Sequence, residues 1–338
     1  MKHSGRLRVG VIGVGYVGRH HARILSNIED VELVAVADID HDQAKLVGSE
    51  NGCGFTKNHH RLIYGGSGDW DDPKREKGVD AVTVAVPTED HASVAIPILN
   101  SGIPVLVEKP IAASLAESDK MIQAASDGGT LLAVGHSERY NPAVTTAMPL
   151  VNEPRFIEVH RLSAFQGRGL DVDVIFDLMI HDLDLLLSIV GAEVESVEAV
   201  GVPVLTDRHD IANVRLRFTN GCIANLTASR ISRDRVRKLR FFQHYSLVTV
   251  DCAAKAVEAF QVIRDTKGEA TIKGGPIEVP AGEPLELELR GFVDAVKANR
   301  GPLVDGAAGR RALELAERIA VSMDSRHSGE SSPVSGAL

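Results

Sequence analysis

Two hydrophobic periods alternate along the first 135 residues. Leu7-Arg8-Val9-Gly10-Val11-Ile12 is a short apolar run stopped by Gly13, as expected of a strand buried on both faces. Tyr16–Ser26 reads as a helix and Val31–Ala37 as a second strand ending at Asp38, with another helix over about 40–50. Asp80–Val86 is a strand ended by Pro87, and helix 90–101 closes on Gly102. Val105–Val107 is a strand before Glu108, followed by helix 114–127 and strand Leu131–Val134. Strands alternating with helices predict a parallel sheet covered on both faces, an α/β doubly wound Rossmann domain. The polar, glycine-rich stretch within 65–77 breaks the rhythm and reads as a surface loop insertion, with a substrate lid as the lesser alternative.

Beyond about residue 136, strand-like runs predominate: Phe156–Ser163, Val194–Val200, Ile211–Phe218, Cys222–Ser229, Leu239–Phe242 and Ser246–Asp251. Asn220-Gly221 between two of them is a hairpin signal. Helical patterns are confined to 174–190, 284–298 and 306–324. The pattern predicts a second α+β domain, with a largely antiparallel open sheet and helices on one face. The expected division is residues 1–136, residues 137–325, and a small polar tail, 326–338, expected to be disordered.

A length of 338 residues fits two domains of about 150 each. The net charge of −9 argues against a nucleic-acid or membrane-surface binder, and 4% aromatic residues leave little for base stacking. No apolar run approaches the roughly 18 residues of a membrane span, and no apolar signal region precedes the first strand. Cys53, Cys222 and Cys252 are odd in number and lack metal-ligand spacing, so reduced thiols and a cytoplasmic location are expected.

The first strand runs into Gly13-Val14-Gly15-Tyr16-Val17-Gly18, a G-x-G-x-x-G that opens a helix. The first glycine permits the tight turn, the second lets the backbone approach a pyrophosphate, and the third packs helix on strand. Asp38 lies 20 residues past Gly18, where a carboxylate accepts from ribose hydroxyls. It would repel a 2′-phosphate, and Ile39-Asp40 supplies no compensating cation. NAD is therefore the expected cofactor and NADP the less favoured one. Tyr16, Val17, Ile39, Pro87, Thr88 and His91 are further candidates for the cofactor site, the last three near a strand end. A glycine-rich turn without nucleotide is the plain alternative.

Glu108-Lys109-Pro110 also sits at the carboxyl end of a strand, where open parallel sheets bind ligands. Lys109 there is either a surface lysine or a group that holds nicotinamide or a substrate hydroxyl. In the second domain, Asp173, Asp177, His181 and Asp184 fall on one face at helical spacing, within a strongly apolar segment. Asp177, one turn before His181, can orient the imidazole, which makes His181 a candidate general base. A metal site is the rival, but no third ligand is evident by spacing, and none is expected. His20-His21 and His59-His60 read as structural or solvent-facing. Six basic residues between Arg230 and Arg240 stand apart from the acidic average. Arg233, Arg235 and Arg237 would share one face of a strand, fit for a diphosphate, a solvated surface or an oligomer contact.

Gly13–Gly18 with Asp38, the Glu108-Lys109-Pro110 triplet and the Asp177-x-x-x-His181 pair together resemble the Gfo/Idh/MocA family of oxidoreductases over almost the whole chain. Val172-Asp173 stand where that family often has a glycine pair. The resemblance implies that Lys109 and His181 bracket the reacting carbon with Asp177 beside them, and that the open sheet face makes homodimer or homotetramer contacts. Gly135–Pro142, His160–Ser163, Asp177–Asp182 and Gly201–Asp207 look like the bacterial branch similar to UDP-N-acetylglucosamine 3-dehydrogenase. That likeness implies a sugar or sugar-nucleotide substrate, with Arg139, Asn141 and Arg161 as candidate contacts beside Asp177 and His181. A free polyol such as inositol, and a non-catalytic NAD-binding regulator, are the alternatives.

Overall fold

The computed structural model describes residues 5–64, 78–165 and 172–327. The 65–77 insertion and the tail beyond 327 lie outside the described residues. The chain divides into two compact units, Met1–Tyr140 with Gly282–Arg310, and Asn141–Ala281 with Arg311–Leu338.

The first unit runs β1 (Leu7–Ile12), α1 (Gly18–Ser26), β2 (Val31–Ala37), α2 (His41–Glu50), β3 (Gly54–Thr56), α3 (His60–Tyr64), β4 (Ala81–Val84), α4 (His91–Asn100), β5 (Val105–Glu108), α5 (Leu115–Asp127) and β6 (Leu132–Gly135). All six strands pair in parallel, in the order β3-β2-β1-β4-β5-β6. The order reverses beside β1, which makes the carboxyl ends of β1 and β4 the switch point where such sheets bind ligands. Caps set the helix starts: the Asp40 carboxylate accepts from the Asp42 and Gln43 N–H groups, and the Ser114 hydroxyl from Glu117 N–H. Strand β3 is only three residues long, too short to show a period in sequence.

The sequence-based boundary at 136 moves to 140, and one later segment changes sides. Residues 282–310, expected in the second domain, belong to the first unit. The reason is burial: the penultimate helix, Pro284–Ala298, places Leu289, Phe292 and Val293 in the same apolar cluster as Leu7, Val9, Leu25 and Val36.

The second unit holds α6 (Pro142–Ala147), β7 (Phe156–Leu162), a π-turn over Ile175–Met179, α7 (Ile180–Val190), β8 (Val194–Val202), β9 (Ile211–Phe218), β10 (Ile223–Ser229), β11 (Val236–Gln243), β12 (Ser246–Asp251), β13 (Ala256–Arg264) and β14 (Ala270–Ile277). The helix over 284–298 is α8, and α9 (Gly306–His327) carries the chain from the first unit into the second. The eight strands lie in the order β14-β13-β12-β11-β7-β10-β9-β8, antiparallel except for β7 with β10. Burial alternates along β9 and its neighbours, and Ala312, Leu315, Ile319 and Met323 of α9 pack on the buried face. Helix α9 extends through His327, so the expected tail starts inside a helix.

Candidate active site

At the first glycine-rich turn, Gly13 has φ +79°, and a Cβ there would lie 2.7 Å from the Ala85 carbonyl carbon. A Cβ on Gly18 would stand 1.8 Å from the Gly13 carbonyl oxygen, so this turn closes only without side chains. Gly15 is the opposite case: a Cβ would meet nothing within 4 Å, leaving its backbone open to a ligand. Tyr16 and Val17 beside it are exposed. Asp38 Oδ2 accepts from the Val14 N–H at 2.8 Å and Oδ1 from the Asp40 N–H at 2.9 Å. Each oxygen keeps a further acceptor site, enough for a pair of ribose hydroxyls. Ile39 is fully exposed next to it. This loop, with two obligatory glycines, one open glycine and an acceptor at the end of β2, fits a dinucleotide.

Pro87 is exposed and Thr88 half-buried at the start of a short 3-10 turn after β4. His91, expected to line the cofactor site, is instead buried. Its Nδ1 lies 2.9 Å from the Pro110 carbonyl and its Nε2 3.0 Å from that of Val86. Burial pushes its pKa down against the pull of these carbonyls, and the contacts of its two ring nitrogens tie two loops together.

The Glu108 carboxylate closes β5. One oxygen lies 3.1 Å from His21 Nε2, and the other accepts the Lys109 N–H at 3.2 Å. Burial pushes the Glu108 carboxyl up, but His21 and Lys109 outweigh it and hold the group below the usual carboxylate range. Lys109 is half-buried and its peptide to Pro110 is cis. The sequence offered one sign of His21: it sits three residues after Gly18 and four before Leu25, on the buried stripe of α1.

In the second unit, Asp177 lies within the π-turn and His181 in the first turn of α7, both half-buried. The extra residue of a π-turn breaks the expected single face, and such turns recur at functional sites. Asp173 precedes the turn, where Oδ1 accepts from Ile175 N–H and Oδ2 pairs with His209 Nδ1 at 2.5 Å. Asp184 is buried. Of the four residues, Asp177 and His181 are half-buried and stay the candidates for chemistry.

Two expected substrate contacts are committed elsewhere. Arg161 is 2% exposed and grips Asp182 through Nε at 2.7 Å and one terminal nitrogen at 2.8 Å. A guanidinium sealed into a bidentate pair has no face for a ligand. Asn141 is buried: its carbonyl oxygen caps α6 at Ala143 N–H and its amide donates to the Cys252 carbonyl. Arg139 is half-buried and stays a candidate. The expected basic face does not form either, because Arg233 and Arg235 lie before β11 begins at Val236. Arg230 is buried on Asp210, whose carboxylate also takes the N–H groups of Val204, Leu205 and Thr206. Lys238 pairs with Asp251 and Arg240 with Glu158.

Comparison with known proteins decides the family. Residues 7–136 match the model of the oxidoreductase family with an NAD-binding Rossmann fold, and residues 155–243 match the GFO/IDH/MocA C-terminal domain. The chain belongs to the Gfo/Idh/MocA family. It is 34% identical over 325 residues to the UDP-N-acetylglucosamine 3-dehydrogenase of Acidithiobacillus ferrooxidans, covering 94% of this chain and 97% of that one. A solved structure of that enzyme matches with a TM-score of 0.85 at 33% identity, over 95% of this chain and 98% of that one. The myo-inositol 2-dehydrogenase of Thermotoga maritima is 28% identical over 345 residues, covering 95% and 98% of the two chains. The protein is thus an oxidoreductase with NAD as its cofactor. No described helix is long and apolar enough to cross a membrane.

Proposed function

We propose that this Gfo/Idh/MocA protein oxidises a ring hydroxyl of a sugar nucleotide, UDP-N-acetylglucosamine at C3. The reading is carried by the near full-length likeness to the A. ferrooxidans enzyme of that name. NAD, when bound, supplies the hydride acceptor. His181 takes the hydroxyl proton as the carbon gives up its hydride, so the alcohol loses two electrons and two hydrogens and becomes a ketone. Asp177, one turn away, orients the imidazole. Lys109 hydrogen-bonds the same oxygen and steadies the charge that develops on it. The exposed face of the eight-stranded sheet, where Ile272 is 73% exposed, supports a homodimer or homotetramer.

A free polyol is the second reading. The T. maritima relative favours it, as does the use of Arg230, Lys238 and Arg240 in ion pairs rather than in a diphosphate cradle. Incubating the protein with NAD and either UDP-N-acetylglucosamine, other UDP-sugars or inositols, and following reduced cofactor, separates the two. His181→Ala and Lys109→Ala should each lower turnover by at least about 100-fold with NADH affinity within about threefold. Turnover of inositol alone overturns the sugar-nucleotide reading, and near-normal turnover in either variant overturns that residue's role.

A further inference from the structure

Behind the Glu108–Lys109 corner, the first unit buries an unusual set of groups. His21 of α1 is 0% exposed and Glu288 of α8 is 1% exposed. One ligand-type atom from each of His21, Glu108 and Glu288 lies within 4.8 Å of the other two. Burying two carboxylates and an imidazole together is costly unless their arrangement is used. Glu108 is held ionised and can only accept, so the proton of its 3.1 Å contact resides on His21 Nε2. His21 Nδ1 has no hydrogen-bond partner among the described residues. The ring therefore meets Glu108 through Nε2 and leaves Nδ1 out of the contact. The carboxylate is also fitted from the other side: a Cβ on Gly135, its neighbour on β6, would lie 3.0 Å from Glu108 Oε1 and 3.1 Å from its carboxyl carbon.

We infer that His21 is a positioning residue for Lys109, acting through Glu108, with Glu288 as the buried carboxyl facing the pair. His21 fixes one carboxylate oxygen, and the other fixes the Lys109 backbone N–H at 3.2 Å. The lysine thus leaves the end of β5 in one direction. Because α1 begins at Gly18, the helix that opens at the dinucleotide loop is tied by its first turn to the strand end that presents Lys109. A small misplacement of a reacting group is enough to cost turnover without costing affinity. The inference rests on the role given to Lys109 above, but its structural half does not depend on any substrate.

His21→Leu removes the donor, whereas His21→Gln keeps a side-chain N–H of similar reach. Hydrogen exchange of the Lys109 amide in the cofactor-free protein reads the backbone contact directly. It should quicken by at least about tenfold in His21→Leu and stay within about threefold of wild type in His21→Gln. With NAD and UDP-N-acetylglucosamine, His21→Leu should lose about tenfold or more in kcat while KM and NADH affinity move by less than about threefold, and His21→Gln should recover most of the loss. Unchanged Lys109 exchange in His21→Leu overturns the inference, as does a glutamine variant that behaves like the leucine one. If the wild type fails to oxidise the sugar nucleotide, the substrate reading falls and amide exchange alone decides the positioning.

Discussion

Arg161 and Asp182 give the sharpest test, because one is a residue that the sequence offered as a substrate contact. The structure seals both, at 2% and 3% side-chain exposure, in a bidentate pair joining β7 to α7 one residue past His181. Removing one partner strands a buried charge, which costs about 3–5 kcal/mol, whereas replacing both by apolar groups of similar volume is often neutral or better. Arg161→Met and Asp182→Leu should therefore each cost about 3–5 kcal/mol, and the double variant should recover most of it. In urea, with slopes of about 1–3 kcal/mol per M, each single variant should lower the midpoint by at least about 1 M. NADH affinity, which belongs to the first unit, should not change. If Arg161→Met left stability within about 1 kcal/mol of wild type but raised the substrate KM about tenfold, the guanidinium would be a ligand group and the reasoning would be wrong.

Asp210 makes a prediction in pH. Burial raises its carboxyl, but the Leu205, Val204 and Thr206 N–H groups and Arg230 outweigh that and hold it far below the ordinary range. Its contribution is fully present above the unfolded value of about 3.9 and is lost as pH falls toward the folded value. Acid melts should therefore be steeper for wild type than for Asp210→Asn, and parallel curves would refute this. Gly18→Ala forces a Cβ to 1.8 Å from the Gly13 carbonyl, so NADH affinity should fall by at least about tenfold by fluorescence titration. Burial pushes the Cys53 thiol up to about 12 and the Cys222 thiol up to about 11. At pH 8 both should react with a disulfide reagent at least about 100-fold more slowly than a free thiol, and mass mapping of the labelled peptides checks it.

Much of the first unit was legible because its signals are contiguous. A buried parallel strand, its glycine stop and the helix that follows sit within some 20 neighbouring residues, and each reads without knowledge of the rest. Strands β13 and β14 were not legible: both are largely exposed, so Ala256–Arg264 and Ala270–Ile277 show no buried face to find. Spacing alone also expected one regular helical face over Asp173–Asp184, where a π-turn over Ile175–Met179 adds a residue to the turn.

Among the candidate site residues, the same division holds. Gly13, Gly15, Gly18 and Asp38 announce themselves by spacing, since the turn and the strand end are local geometry. Lys109, Asp177 and His181 were legible as chemistry-bearing types at strand and helix ends. Whether a polar residue faces a ligand or a buried partner is not local. Arg161, Asn141 and His91 were read as ligand groups, and each proved to be satisfied by a residue or carbonyl that only the folded chain brings near.

The sequence by itself determined the parallel sheet, the dinucleotide loop and the residue types available for proton and hydride chemistry, because period, turn and spacing act over a few residues. Tertiary structure alone decided that residues 282–310 complete the first unit and that His21, Glu108 and Glu288 converge behind Lys109. It also decided that Arg230, Lys238 and Arg240, three of the six cations of 230–240, are drawn into ion pairs. The physical reason is the cost of burying an unpaired polar group: each such residue must find a partner, and the partner's place in the chain is set by packing rather than by sequence distance.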